Sequence, residues 1–451
     1  MPERSEVVVV GGGIAGLTAA WSLRDRDVIV LEATDRLGGR IRSESRGDYW
    51  LNLGAHVFGG PETATGQLLR TAGVRTQPVP GRLAAAALNG RIVSRGPVET
   101  FPFRLPLTLR ERLQLLRLGL KLRGAVRRYA AIAAPRAGED PAERQARMLA
   151  FMDDRTFADF AGPLGRDAHA LLRSTLTRSS GEPEELSAGY GVGYFHLVWN
   201  RGEGLAQNIL GGSSTVIDAL AAGLRGRVRT GARVRSVLRE RDQVVVRYLL
   251  DGTDTELRAR AAVVATPAYV TREIVGELPA NTAEALDAIP YGPYVVGAFL
   301  TTERAAMPWD HIYALATPKR SFSMLFNTAN LLRNPAEPRR PGGSLMAYAA
   351  AGSARLLANI DDKGVEQRFL ADLHDLYPQT RGIVEEVVIA RWERGLPYPR
   401  PGRGLLQPML SRSLEPIYLA GDYLGTWYTE TAVQTALDAA AALRRHLDGA
   451  D

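Results

Sequence analysis

Val7-Val8-Val9-Val10-Gly11-Gly12-Gly13-Ile14-Ala15-Gly16, running on through Leu17 to Leu23 and returning as Val28-Ile29-Val30-Leu31-Glu32, decides the fold. Four successive valines predict a strand buried on both faces, and the glycines that follow predict a tight turn into a helix. The spacing Gly11-x-Gly13-x-x-Gly16 lets the chain turn sharply, lets its backbone approach a pyrophosphate, and lets the helix pack closely on the sheet. The helix Leu17 to Leu23 follows, its free N–H groups and positive dipole end suit that pyrophosphate, and Ile14 and Ala15 within the turn are cofactor-contact candidates. Glu32, at the end of the second strand, stands where an acceptor for ribose hydroxyls is required, and its charge disfavours a 2′-phosphate. The pattern therefore points to a dinucleotide other than NADP.

The next residues separate NAD from FAD. Glu32-Ala33-Thr34-Asp35-Arg36-Leu37-Gly38-Gly39-Arg40 replaces the plain helix expected of a nicotinamide enzyme. It resembles the signature of the flavin-containing amine oxidase superfamily, which includes monoamine and polyamine oxidases, protoporphyrinogen oxidases and phytoene desaturases. The resemblance implies that Gly39 makes room for the cofactor beside Glu32 and Ala33, and that Arg40 pairs with its diphosphate as a rigid charged fork. Two further stretches are similar to the same family. Leu210-Gly211-Gly212-Ser213-Ser214-Thr215 leads to an alternating strand in which Val234 would read the adenine through its backbone. Ile417-Tyr418-Leu419-Ala420-Gly421-Asp422 and Glu430-Thr431-Ala432-Val433 follow near the end. There the resemblance implies that Asp422 holds the ribityl chain and that a helix opening near Ala432 and Val433 faces the flavin pyrimidine, where reduced flavin is negative.

The implied architecture is an α/β fold in which a Rossmann-like FAD-binding domain is interleaved with an α+β substrate domain carrying a helical insert. The expected division is 1–80, 205–270 and 385–451 for the FAD-binding domain, and 81–204 and 271–384 for the substrate domain. A chain of 451 residues suits two such domains. Strands are expected at Val295 to Thr301, Ile312 to Ala316 and Phe322 to Phe326, with a loose loop at Arg333 to Gly343.

Composition narrows the partners. No run of about 18 apolar residues is available to span a membrane. The chain enters its first strand almost at once without a signal-like segment, so a cytoplasmic protein is expected. There is no cysteine, which excludes disulfides, thiolate-bound metal and a thioether-linked flavin, so non-covalent FAD is expected. Six scattered histidines suggest no metal site. The net charge of +7 is carried by arginine, the only lysines being Lys121, Lys319 and Lys363, and no aromatic-basic pattern suggests nucleic acid. The stretch 107–129 reads as a basic amphipathic helix, compatible with a lid over the substrate cavity or with peripheral membrane contact. A homodimer is also compatible with the reading.

The chemistry is expected over the flavin ring. In amine oxidases two aromatic rings flank the substrate there. The family's C-terminal motif aligns Tyr428 with one of them, and Trp392 and Tyr398 are both candidates for the other. His56, in Asn52-Leu53-Gly54-Ala55-His56, follows a flavin-contacting pair represented by Gly54 and Ala55, and is a candidate proton acceptor or hydrogen-bonding group. Glu62 is a candidate at the pocket rim. The lysine that amine oxidases usually carry on a substrate-domain strand aligns with Val296. Hydride removal from a carbon next to nitrogen, in an amine or amide-type small molecule, is the leading expectation. C–C dehydrogenation of a porphyrinogen or isoprenoid is the alternative. A non-enzymatic protein-binding module of the same fold is disfavoured because the FAD contacts are kept.

Overall fold

The computed structural model describes residues 3–81, 84–199, 205–334, 336–426 and 428–449. Its first sheet runs in the order Val228–Arg229, Val28–Leu31, Glu3–Val10, Thr253–Val264, Gln243–Leu250, Arg233–Glu240, with Ile417–Leu419 also paired to Thr253–Val264. The four valines show why an unbroken apolar run is needed. Val7 and Val9 enter one core, packed with the helices Ile14–Ser22 and Tyr428–Asp448, whereas Val8 and Val10 enter the core on the opposite face. Each is at most 2% exposed, so alternation alone would leave half of them in water.

A second sheet holds, in order, Val384–Pro397, Tyr291–Thr301, Gly343–Ala350, Met324–Asn327, Ala314–Ala316, Ala85–Leu88 and Arg91–Val93. The strand Val384–Pro397 corrects the sequence-based division, which assigned residues from 385 onward to the first unit. It pairs antiparallel with Tyr291–Thr301 along its length, from Tyr291 opposite Pro397 to Thr301 opposite Val384. Gly343–Ala350 is a wholly buried strand of this sheet that the sequence reading did not anticipate. In the expected loop before it, Arg333 and Arg339 are held in place. Arg333 donates to Tyr49 Oη and to the carbonyls of Arg340 and Gly342, and Arg339 pairs with Asp310.

Between the sheets' segments lies a helical layer. Its longest helix, Leu109–Ala133, starts with a capping box in which Thr108 and Glu111 satisfy each other's backbone N–H groups. Glu111 also accepts from the N–H groups of Asp167 and Ala168, so one carboxylate opens two helices, the second being Arg166–Leu176. Leu118, Leu122, Ala125, Tyr129 and Ala133 form the buried stripe, while Leu109, Leu113 and Leu120 remain exposed among arginines. No helix among the described residues is long and apolar enough to cross a membrane.

Candidate active site

The cradle is built by the glycines, each for its own reason. A Cβ on Gly16 would lie 1.8 Å from the Gly11 carbonyl oxygen, so this position lets helix and strand touch. A Cβ on Gly13 would meet nothing within 4 Å. Gly13 caps the helix Ile14–Ser22 without a side-chain hydrogen bond, and the first turn holds no acid. The helix mouth is thus open and electropositive, as a pyrophosphate requires. Half-buried Ile14 borders that mouth, and Ala15 behind it is packed into the core.

Glu32 lies against this loop. Its carboxylate accepts from the Gly12 N–H at 2.7 Å and from Thr34 N–H and Oγ1 at 2.9 and 2.7 Å, with Ala33 exposed beside it. The Gly38 N–H donates to the Gly12 carbonyl, and Gly39 sits at φ +53 directly over Gly13. Backbone bonds from Gly231 and Ala232 to the carbonyls of Thr34 and Glu32 bring the start of Arg233–Glu240 to the same corner. Val234 there is half-buried and adjoins a break in strand register. Arg40 bridges to the opposite wall, 2.7 Å from an oxygen of the buried Asp422 and 3.0 Å from the Gly395 carbonyl. A Cβ on Gly54 would lie 2.2 Å from the Arg40 carbonyl oxygen, and the Ala55 N–H bonds that same oxygen. An open helix mouth, an acid at one end and an Arg–Asp pair at the other fit the adenosine, diphosphate and ribityl parts of FAD.

The last helix opens earlier than expected. It spans Tyr428–Asp448, so Ala432 and Val433 lie one turn inside and are buried in the core rather than at its mouth. Glu430, which the sequence reading took only as part of the motif, accepts from the N–H groups of Ala64 and Thr65 and so ties this helix to Ala64–Thr71.

Beyond the cradle lies an aromatic cluster. His56 meets Phe326 edge to face with centroids 4.8 Å apart, Phe326 stacks on Tyr348 at 5.6 Å, and Tyr348 meets Tyr294 at 5.5 Å. Tyr428 enters from the other side, at φ +45, its hydroxyl 2.9 Å from Ser179 Oγ. Trp392 stands directly opposite Tyr294 on the neighbouring strand and donates its indole N–H to the Leu53 carbonyl at 2.7 Å. Tyr398 is 3% exposed, packs in the core of the helical layer, and borders a small void together with Asp422 and Tyr428. Val296 is buried across from Tyr348, and none of the lysines replaces it. Lys121 donates to the Phe160 carbonyl, Lys319 pairs with Asp167 in a turn, and Lys363 is exposed. Glu62 is likewise exposed. Tyr294, Tyr348 and Arg178, whose guanidinium lies among these rings, were not singled out from sequence, because they come from separate segments that share no motif.

Burial, and secondarily the nearby Arg178 charge, push the His56 imidazole down to about 4. The ring is therefore neutral at pH 7. Nδ1 faces the Gly54 carbonyl at 3.4 Å and Nε2 has no partner among the described residues, which leaves Nε2 as an acceptor when the proton sits on Nδ1. In the unfolded chain the ring protonates near its ordinary 6.5, so between that value and 4 the unfolded state binds the extra proton. Stability should fall by about 3 kcal/mol as pH drops through this window, and be fully present above it. Denaturant unfolding at neutral pH and near pH 4 measures the loss, which His56→Phe should largely remove. Parallel pH profiles for the two proteins would refute it.

A family model described as flavin containing amine oxidoreductase matches residues 14–444. A flavin-containing amine oxidase of Oncorhynchus mykiss is 25% identical over 312 residues, covering 64% of this chain. The chain spans only 56% of that relative's length. A putrescine oxidase solved with putrescine bound superposes with a TM-score of 0.77 at 19% identity, over 98% of this chain and 100% of its own. A cyclohexylamine oxidase from Brevibacterium oxydans gives 0.77 at 20% identity, over 98% and 99%. These two likenesses are of fold.

Proposed function

The chain belongs to the flavin containing amine oxidoreductase family, and from that premise we propose that it is an FAD-dependent oxidase that takes a hydride from a carbon next to nitrogen in a small molecule. The observation that carries the reading is continuity. The segment Gly54-Ala55-His56 leaves the cradle wall at Arg40 and places an unpartnered imidazole nitrogen among the aromatic rings. When bound, FAD supplies the hydride acceptor. The chain supplies position and desolvation. Tyr428, Tyr294 and Tyr348 offer ring faces and edges that confine a substrate, and confinement near the reacting distance supports hydride transfer. His56 Nε2 accepts a hydrogen bond from the substrate amine and holds its nitrogen lone pair in one orientation.

The C–C dehydrogenation alternative calls for a long apolar tunnel. The aromatic cluster instead carries phenolic hydroxyls and a guanidinium, which supports a small polar substrate. The lack of cysteine excludes a thioether link and supports FAD held without a covalent bond. Acid precipitation of the purified protein should leave all of the yellow colour in the supernatant. Flavin retained by the pellet would point to a histidine or tyrosine link. Anaerobic mixing with a panel of amines, amino acids and reduced tetrapyrroles, followed by loss of flavin absorbance, tests the reaction. Bleaching by the nitrogen compounds alone supports it, and bleaching by the tetrapyrroles alone overturns it.

A further inference from the structure

We propose that Arg178 anchors a carboxylate of the substrate, so that the amine oxidised here is that of an amino acid. The inference rests on the amine-oxidising reading of the site and narrows its substrate class. Arg178 lies in the turn Thr177–Ser179 that ends the helix Arg166–Leu176. Its neighbours Thr177, Ser179 and Ser180 have no exposure, yet Arg178 keeps part of its surface open. The Phe326, Tyr194 and Tyr348 rings beside it are buried, whereas Tyr294 and Tyr428 are half-buried like Arg178 itself.

The guanidinium carbon is 5.5 Å from the Phe326 ring centroid and 5.9 Å from that of Tyr194. The phenols of Tyr348, Tyr428 and Tyr294 complete its surroundings, and Tyr294 donates its hydroxyl to the Arg178 carbonyl. Ring faces stabilise a cation, but they do not neutralise it. Elsewhere in the interior, arginines are satisfied either by acids or, at Arg403, by the Gln407 side chain and the Tyr423 carbonyl. Arg40 is paired with Asp422, and Arg333 and Arg339 with Glu303. Among the described residues Arg178 forms no such ion pair. A charge held away from water without a counter-ion is costly, and a ligand anion would offset that cost. The planar fork of a guanidinium matches a carboxylate through two parallel hydrogen bonds.

The same charge selects against a simple amine. An ammonium entering the cleft meets a fixed cation, and His56 is neutral at neutral pH. An amino acid brings its own compensation, since its carboxylate occupies Arg178 while its nitrogen turns to His56. Both groups pack against the same Phe326 ring, so one small zwitterion suffices to reach both.

Calorimetric titration of the FAD-bound protein at neutral pH, with benzoate and with benzylamine as probes, tests the anchor. Benzoate should bind about tenfold or more tighter than benzylamine, and Arg178→Gln should lose about tenfold or more of the benzoate affinity. Arg178→Lys should keep part of it, because the charge remains and the fork does not. In steady state, Arg178→Gln should raise the KM for phenylalanine far more than it lowers kcat. Equal binding of the two probes by the wild-type protein overturns the proposal without relying on any variant. Unchanged benzoate affinity in Arg178→Gln overturns it as well. If phenethylamine bleaches the flavin while benzoate does not bind, the anchor fails and amine oxidation stands. If benzoate binds through Arg178 while neither phenylalanine nor phenethylamine bleaches the flavin, the anchor stands and amine oxidation fails.

Discussion

Gly13→Ala is expected to leave the chain folded and to strip it of FAD. At φ −75 and ψ 179 the backbone there suits any residue, and the new methyl group would meet nothing within 4 Å. Folding should cost no more than about 1 kcal/mol, the usual difference between glycine and alanine at a helix N-cap. The space that the methyl takes is the space a diphosphate needs in order to reach the helix N–H groups. Displacing those charge-assisted bonds, each worth about 1.5–3 kcal/mol, should weaken FAD by about a hundredfold. Gly16→Ala makes the contrast. Its methyl would sit 1.8 Å from a backbone oxygen, and no rotamer relieves that. The strand and helix must part, so this variant should lose about 3 kcal/mol or more whether or not FAD is present. Thermal unfolding of the two apoproteins and titration of each with FAD separate packing from binding. A Gly13→Ala protein that purifies with a full complement of flavin would refute the placement of the diphosphate.

That contrast shows what the sequence makes legible. Val7 to Val10, the three spaced glycines and Glu32 act through local geometry, so their spacing states their task before any partner is known. The fourth valine pairs with Leu31 and the glycine turn follows at once, which leaves the chain few alternatives. The strand Val384–Pro397 is different. Nothing in its alternation says which sheet it joins, because that depends on Tyr291–Thr301, far away in sequence. Gly343–Ala350 escaped notice because its Gly, Ser and Ala residues carry little of the β-branched signal on which strand reading relies. Arg178 is the extreme case. In a chain this rich in arginine no local pattern distinguishes it. Only its neighbours, brought from three strands of the second sheet and from two helices, mark it as a charge in an aromatic setting.

Tyr428→Ala is expected to retain bound FAD and to slow flavin reduction by substrate about a hundredfold. Tyr428 opens the last helix, and the cradle contacts through Gly13, Glu32, Arg40 and Asp422 arise elsewhere, so cofactor affinity should change little. The loss is geometric. Removing a confining ring lets the donor carbon drift, and a misplacement of about 1 Å can cost about a hundredfold in rate. The left-handed backbone at φ +45 strains tyrosine and alanine alike, so it does not bias the comparison. A purely structural role is the competing account, because the hydroxyl also bonds Ser179. Tyr428→Phe separates the two. It deletes that bond, at a cost of about 1 kcal/mol in stability, while keeping the ring and with it most of the rate. Stopped-flow reduction under anaerobic conditions, expressed per bound flavin, should therefore rank wild type close to Tyr428→Phe and both far above Tyr428→Ala. If Tyr428→Ala reduces at the wild-type rate per flavin, the ring does not position the substrate and its work ends at Ser179.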